Sequence, residues 1–199
     1  MKEPQTLADY IDCLSLLESN TSILYNTIAE KVEMPLVRSL FKEIAIDSQK
    51  HSVILKGVSE SITHTKGAQK ECEKKISESW RMISKLQKEY SKIDKINAED
   101  LPELSAKLKI FESIMGEEYY IFVQLKTLDL MVKEINQLYN IDLSSAKSIF
   151  INIISDEDRH REILETIERL VTKEEQASNS PILRYQNPDA WSQPTPSSN

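Results

Sequence analysis

Two stretches of this chain repeat one another, and each carries a histidine at the same place. Leu40-Phe41-x-x-Ile44-Ala45-x-Asp47-Ser48-x-Lys50-His51-x-x-Ile54-Leu55 aligns without a gap on Ile149-Phe150-x-x-Ile153-Ile154-x-Asp156-Glu157-x-Arg159-His160-x-x-Ile163-Leu164, at a constant shift of 109 residues. The sequence holds three histidines, and two of them, His51 and His160, fall on this repeat. Glu157 and His160 stand three apart, so on a helix they project from one face. That face also carries Ile153, Ile154 and Leu164, which are core candidates. A carboxylate and an imidazole turned into a core are costly unless they are paired or bound to metal. Together they suit iron or manganese. Glu18, after Leu14 and Leu17 and before Thr21 and Leu24, interrupts an apolar stripe in the same way, as does Glu118 between Ile114 and Ile121. Glu118 lines up with Glu18 at a shift of 100, with Thr27 over Thr127 and Val32 over Val132. Its neighbour Glu117 flanks the same seam, so either or both can ligate.

Helices must position these groups. Apolar residues from Ile11 to Val32 recur at helical spacing after Thr6, a suitable N-cap, and Pro35 suits the first turn of a second helix running to about Ile62. A third helix is expected over 68–93, with Cys72, Ile76, Ile83, Leu86, Tyr90 and Ile93 on one face and lysine and glutamate on the other. Pro102 opens a long fourth helix that frays between Glu134 and Asn140, and Ser144 caps a last one reaching about Glu175. The chain therefore reads as a helical hairpin, a crossover containing a helix, and a second copy of the hairpin. Residues 1–177 form the bundle. Residues 178–199, rich in Pro, Ser, Asn and Gln, read as a disordered tail.

One glutamate from each of two helices, joined by Glu-x-x-His from each of two others, is the dinuclear carboxylate pattern of ferritin-like bundles. The sequence resembles the rubrerythrin branch of that superfamily. The Glu18-x6-Tyr25 spacing and the Ile-Ala-x-Asp-x-x-Lys-His run carry the resemblance, which covers roughly Thr6 to Leu170 with the crossover helix as an insertion. It implies an all-α, ferritin-like four-helix bundle of two pseudo-repeated hairpins. It places Glu18, His51, Glu118, Glu157 and His160 on metal-ligand positions, with Asp47 and Asp156 accepting the other N–H of a histidine, and it puts Tyr25 near the site. It further implies iron as the cofactor, manganese being possible, and an oxidoreductase or peroxidase acting on dioxygen or peroxide. No cysteine pair matches a rubredoxin-like iron site, so electrons come from a separate donor protein. Ser48 departs from the pattern, because the family has a glutamate there. Three outcomes stay open: an altered dinuclear site, a mononuclear site, or a site in decay.

A metal-free alternative competes with this. In a duplicated bundle Asp47 pairs with His160 and Asp156 with His51 across a pseudo-two-fold axis, and the protein serves protein–protein interaction. Iron storage needs a closed shell, which nothing in the sequence supports. The net charge of −7 and the lack of a basic block argue against nucleic-acid and membrane-surface partners. No apolar run is long enough to span a bilayer, and Met1 to Tyr10 has no apolar signal core. Cys13 and Cys72 fit neither a disulfide framework nor a zinc-site spacing. They read as reduced thiols in a cytoplasmic protein, one that can dimerise through exposed helix faces.

Overall fold

The computed structural model describes residues 3–62, 69–124 and 144–179. These form an all-α protein. Its helices are α1 (Glu3–Lys31), α2 (Pro35–Ile62), α3 (Gln69–Lys75), α4 (Ser77–Tyr90), α5 (Leu101–Gln124) and α6 (Ser144–Asn179), with one 3-10 turn at Ala98–Asp100. The last helix runs past its expected end near Glu175 to Asn179, so Ser178 and Asn179, the first residues of the expected tail 178–199, are helical. The rest of that tail, and the expected fraying near Glu134–Asn140, lie outside the described residues.

Helices α1 and α2 pack as an antiparallel pair, and small polar residues fix their register. Ser59 Oγ donates to the Ala8 carbonyl at 2.9 Å, Lys56 pairs with Asp12, and Ser15 Oγ donates to the Ser52 carbonyl at 2.8 Å. One turn further along, this register sets Glu18 opposite His51, and beyond it Tyr25 beside Phe41. Helices α5 and α6 make the second antiparallel pair, in which Lys109 meets Glu168 and Arg161 meets Ser113. The two pairs enclose a common core that includes Leu14, Leu17, Phe41, Phe111, Phe150 and Leu164.

The crossover departs from expectation. Instead of one helix over 68–93 there are two, broken at Ile76, whose φ of −127° and ψ of 54° are not helical. Buried Ser79, Ile83, Leu86 and Tyr90 set α4 against the bundle. Lys31 at the end of α1 ties its far end down by donating to the carbonyls of Tyr90, Ser91 and Ile93. Those carbonyls lack partners within the helix, and a lysine there also complements the negative pole of the helix dipole. Arg38 serves the end of α1 likewise, donating to the carbonyls of Val32 and Glu33.

The cysteines correct a second expectation. Cys13 on α1 and Cys72 on α3, both buried, form a disulfide between Cα atoms 5.2 Å apart. With that, the step from free thiols to a cytoplasmic location falls away. The bond closes a loop 59 residues in separation, and a loop of that size restricts the unfolded chain by about 4 kcal/mol in the entropic treatment. Reduction, or the Cys13→Ala/Cys72→Ala double variant, is therefore expected to lower stability by up to about that amount. Urea unfolding with and without dithiothreitol checks it.

Candidate metal centre

The two helix pairs converge on a buried cluster of Glu18, His51, Glu112, Glu157 and His160, each no more than 1% exposed. Glu157 lies in the middle. Its Oε1 is 3.6 Å from His51 Nδ1, and its Oε2 is 3.7 Å from His160 Nδ1. Glu18 Oε1 approaches His51 Nδ1 at 3.4 Å, and Glu112 Oε2 approaches His160 Nδ1 at 3.3 Å. Two triads result, Glu18–His51–Glu157 and Glu112–Glu157–His160, and the ligand atoms within each lie within 4.8 Å of one another. Glu157 belongs to both.

The surroundings follow the same approximate two-fold. Tyr119 Oη donates to Glu18 Oε1 at 2.5 Å, and Tyr25 Oη donates to Glu112. On the outer side of the imidazoles, His51 Nε2 stands 2.9 Å from Asp156 Oδ2, and His160 Nε2 stands 3.6 Å from Asp47 Oδ2. Lys50 and Arg159, equivalent in the repeat, each pair with both aspartates. Each histidine thus turns Nε2 to an aspartate and Nδ1 inward, the orientation that a metal-ligating imidazole needs.

Sequence reasoning and structure part at one ligand. Glu18, His51, Glu157 and His160 come together. Glu118 does not join them: it lies under the crossover, accepting from Tyr10 Oη at 2.8 Å and from Ser79 Oγ at 3.1 Å. Glu117 is exposed. The carboxylate equivalent to Glu18 is Glu112, six residues earlier. A signal for it was available, because Glu18-x6-Tyr25 recurs as Glu112-x6-Tyr119 at a shift of 94.

Electrostatics mark the cluster as a charge-holding site. Burial alone would lower both imidazoles. Against it, Glu157 and Glu18 push His51 up to about 10, and Asp47, Glu112 and Glu157 push His160 up to about 12. Glu157 is pushed up to about 8, first by burial and then by the charges of Glu18 and Glu112. Glu112 is held low despite its burial, chiefly by His160. Burial, with Glu112 and Glu18 respectively, drives Tyr25 and Tyr119 well above the ordinary tyrosine value, so both keep the proton they donate. Several buried atoms nonetheless have no hydrogen-bond partner: His51 Nδ1 and both oxygens of Glu157, which face one another within the cluster, Glu18 Oε2, and His160 Nε2 on its outer side. Such atoms are rare in a folded interior and call for an occupant or an ion.

The tyrosines give a local test. Tyr119→Phe leaves Glu18 without its donor in a water-poor site and is expected to cost about 1–3 kcal/mol of stability. Tyr25→Phe is expected to cost a similar amount through Glu112, measured by urea unfolding of the metal-free protein.

No protein-family model, curated protein or solved structure matches the chain. No described helix is long and apolar enough to cross a membrane.

Proposed function

We propose that this chain is a ferritin-like, rubrerythrin-like metal protein that holds two iron or manganese ions and acts on peroxide or dioxygen with electrons from a partner protein. Glu157 carries the reading: both oxygens of a buried carboxylate lie free of hydrogen bonds, and each faces the inner nitrogen of a different histidine. A carboxylate so placed would be available to an ion held with either histidine. Glu18 and His51 would complete the hold on one ion, and Glu112 and His160 on the other. Carboxylate oxygens and imidazole nitrogens are the donors that iron and manganese prefer. Two such ions supply open coordination positions and two-electron redox capacity. The chain's own part is to hold that charge in a buried site, to fix both imidazoles through Asp47 and Asp156, and to keep a proton on Tyr25 and Tyr119 beside the terminal carboxylates.

A second reading has its own support. The pairs His51–Asp156 and His160–Asp47 are the interhelical contacts that a metal-free, duplicated interaction bundle would use. Elemental analysis of protein purified without chelators separates the two. About two ions per chain are expected for the metal reading. None, even after anaerobic loading with Fe(II), would leave the metal-free bundle.

A further inference from the structure

The repeat that aligns His51 with His160 aligns Ser48 with Glu157. Ser48 stands three residues before His51, as Glu157 stands before His160, so both lie on the helix face that carries the histidine. Ser48 is buried, and its Oγ turns back to donate to the Ile44 carbonyl at 3.1 Å. The hydroxyl is thus engaged along its own helix, and no side-chain carboxylate reaches the site from this position. Across the cluster, Glu157 does reach it. Glu18 Oε2, His51 Nδ1 and both Glu157 oxygens, buried and without hydrogen-bond partners, are the atoms that a ligand set completed by a second carboxylate would satisfy.

We infer that the Ser48 side of the centre is a seat for a small external monocarboxylate, which would supply the carboxylate that Glu157 supplies from the equivalent position of the other hairpin. The inference rests on the dinuclear reading above and names a ligand class for that site. Charge supports it. Metal ligands bind deprotonated, so three carboxylates and two neutral imidazoles leave two divalent ions one positive charge in excess. A buried excess charge is costly unless compensated, and one monoanion compensates it. Size supports it as well. A glutamate cut back to its Cβ loses two carbons and two oxygens, which is an acetate. The difference between Glu157 and Ser48 at equivalent positions of the repeat therefore matches formate or acetate in size.

The experiment uses the full chain loaded anaerobically with Mn(II), with metal content measured first. Sodium acetate and sodium formate are then titrated in, followed by calorimetry and by the Mn(II) electron paramagnetic resonance spectrum. One carboxylate bound per pair of ions, with a changed spin coupling between the ions, is the expected result. Ser48→Glu should retain two ions and lose the acetate response, because its own carboxylate fills the seat. Ser48→Ala, which opens the same space without the hydroxyl, should keep the response. Two ions with no response to either anion in the wild type would overturn the inference, as would a Ser48→Glu variant that folds, holds two ions and still binds acetate. Failure to load two ions would instead overturn the dinuclear reading itself.

Discussion

Glu157→Gln is expected to remove both metal ions, whereas Glu112→Gln or Glu18→Gln removes one. The asymmetry follows from position. Glu157 belongs to both triads, while Glu18 and Glu112 each belong to one. Changing a partner that merely orients a ligand costs about 10–100-fold in metal affinity, and replacing the shared ligand itself should exceed that for each ion. The substitution separates binding from folding. In the metal-free protein the Glu157 carboxyl is pushed up to about 8, so near neutral pH it is largely uncharged already. Glutamine has the same shape, carries no charge and keeps an acceptor for the neighbouring imidazoles. Metal-free Glu157→Gln should therefore unfold near neutral pH at close to the wild-type temperature, because one uncharged group of the same shape replaces another. Elemental analysis gives the first quantity and calorimetry on chelated protein the second. A variant with one ion still bound at wild-type affinity would show that Glu157 is not shared.

Much of this centre was legible because α2 and α6 repeat without a gap, so the spacing of His51 and His160 fixed their common face. The match between α1 and α5 was harder to place. Glu118 sits between Ile114 and Ile121 at helical spacing, which made it an acceptable seam residue. Yet the buried stripe of α5 runs through Leu104, Leu108, Phe111, Met115 and Tyr119, and Glu112 lies beside it. Apolar residues at both 114 and 115 allow two phasings of the same helix, and periodicity alone does not choose between them. The tyrosines do choose. Tyr25 reaches Glu112 and Tyr119 reaches Glu18, a crossed pairing that requires the same Glu-to-Tyr spacing on both helices. The other corrections had no local signal. A separation of 59 residues says nothing about whether Cys13 and Cys72 meet, and Ile76 breaks the crossover with neither proline nor glycine beside it.

Metal should reverse how the stability of this protein depends on pH. In the metal-free protein three central groups have folded values above their ordinary ones: His51 moves from 6.5 to about 10, His160 from 6.5 to about 12, and Glu157 from 4.5 to about 8. A group raised on folding contributes stability that is complete below its unfolded value and is lost as pH climbs through the folded one. Glu157 thus loses its contribution between about 4.5 and 8, and the histidines lose theirs from 6.5 upward. Asp47, Asp156 and Glu112 are lowered instead. Their contribution disappears only in acid, below the ordinary carboxylate range, so they do not oppose the trend between about pH 6 and pH 9.5. Across that window the metal-free protein should melt at progressively lower temperature, each kilocalorie per mole moving Tm by roughly 2–4 °C for a chain of this size. A bound ion takes the place of the same protons, because imidazole and carboxylate ligate only when deprotonated. Binding therefore releases protons and strengthens with pH, and the increment in Tm that it supplies should grow over the range in which the metal-free protein weakens. Calorimetry in a pH series, with chelator in one set and Mn(II) in the other, reads both slopes directly. A metal-free Tm that stays level from about pH 6 to pH 9.5, or a metal increment that shrinks as pH rises, would mean that the two histidines do not hold the protons that the ions must displace.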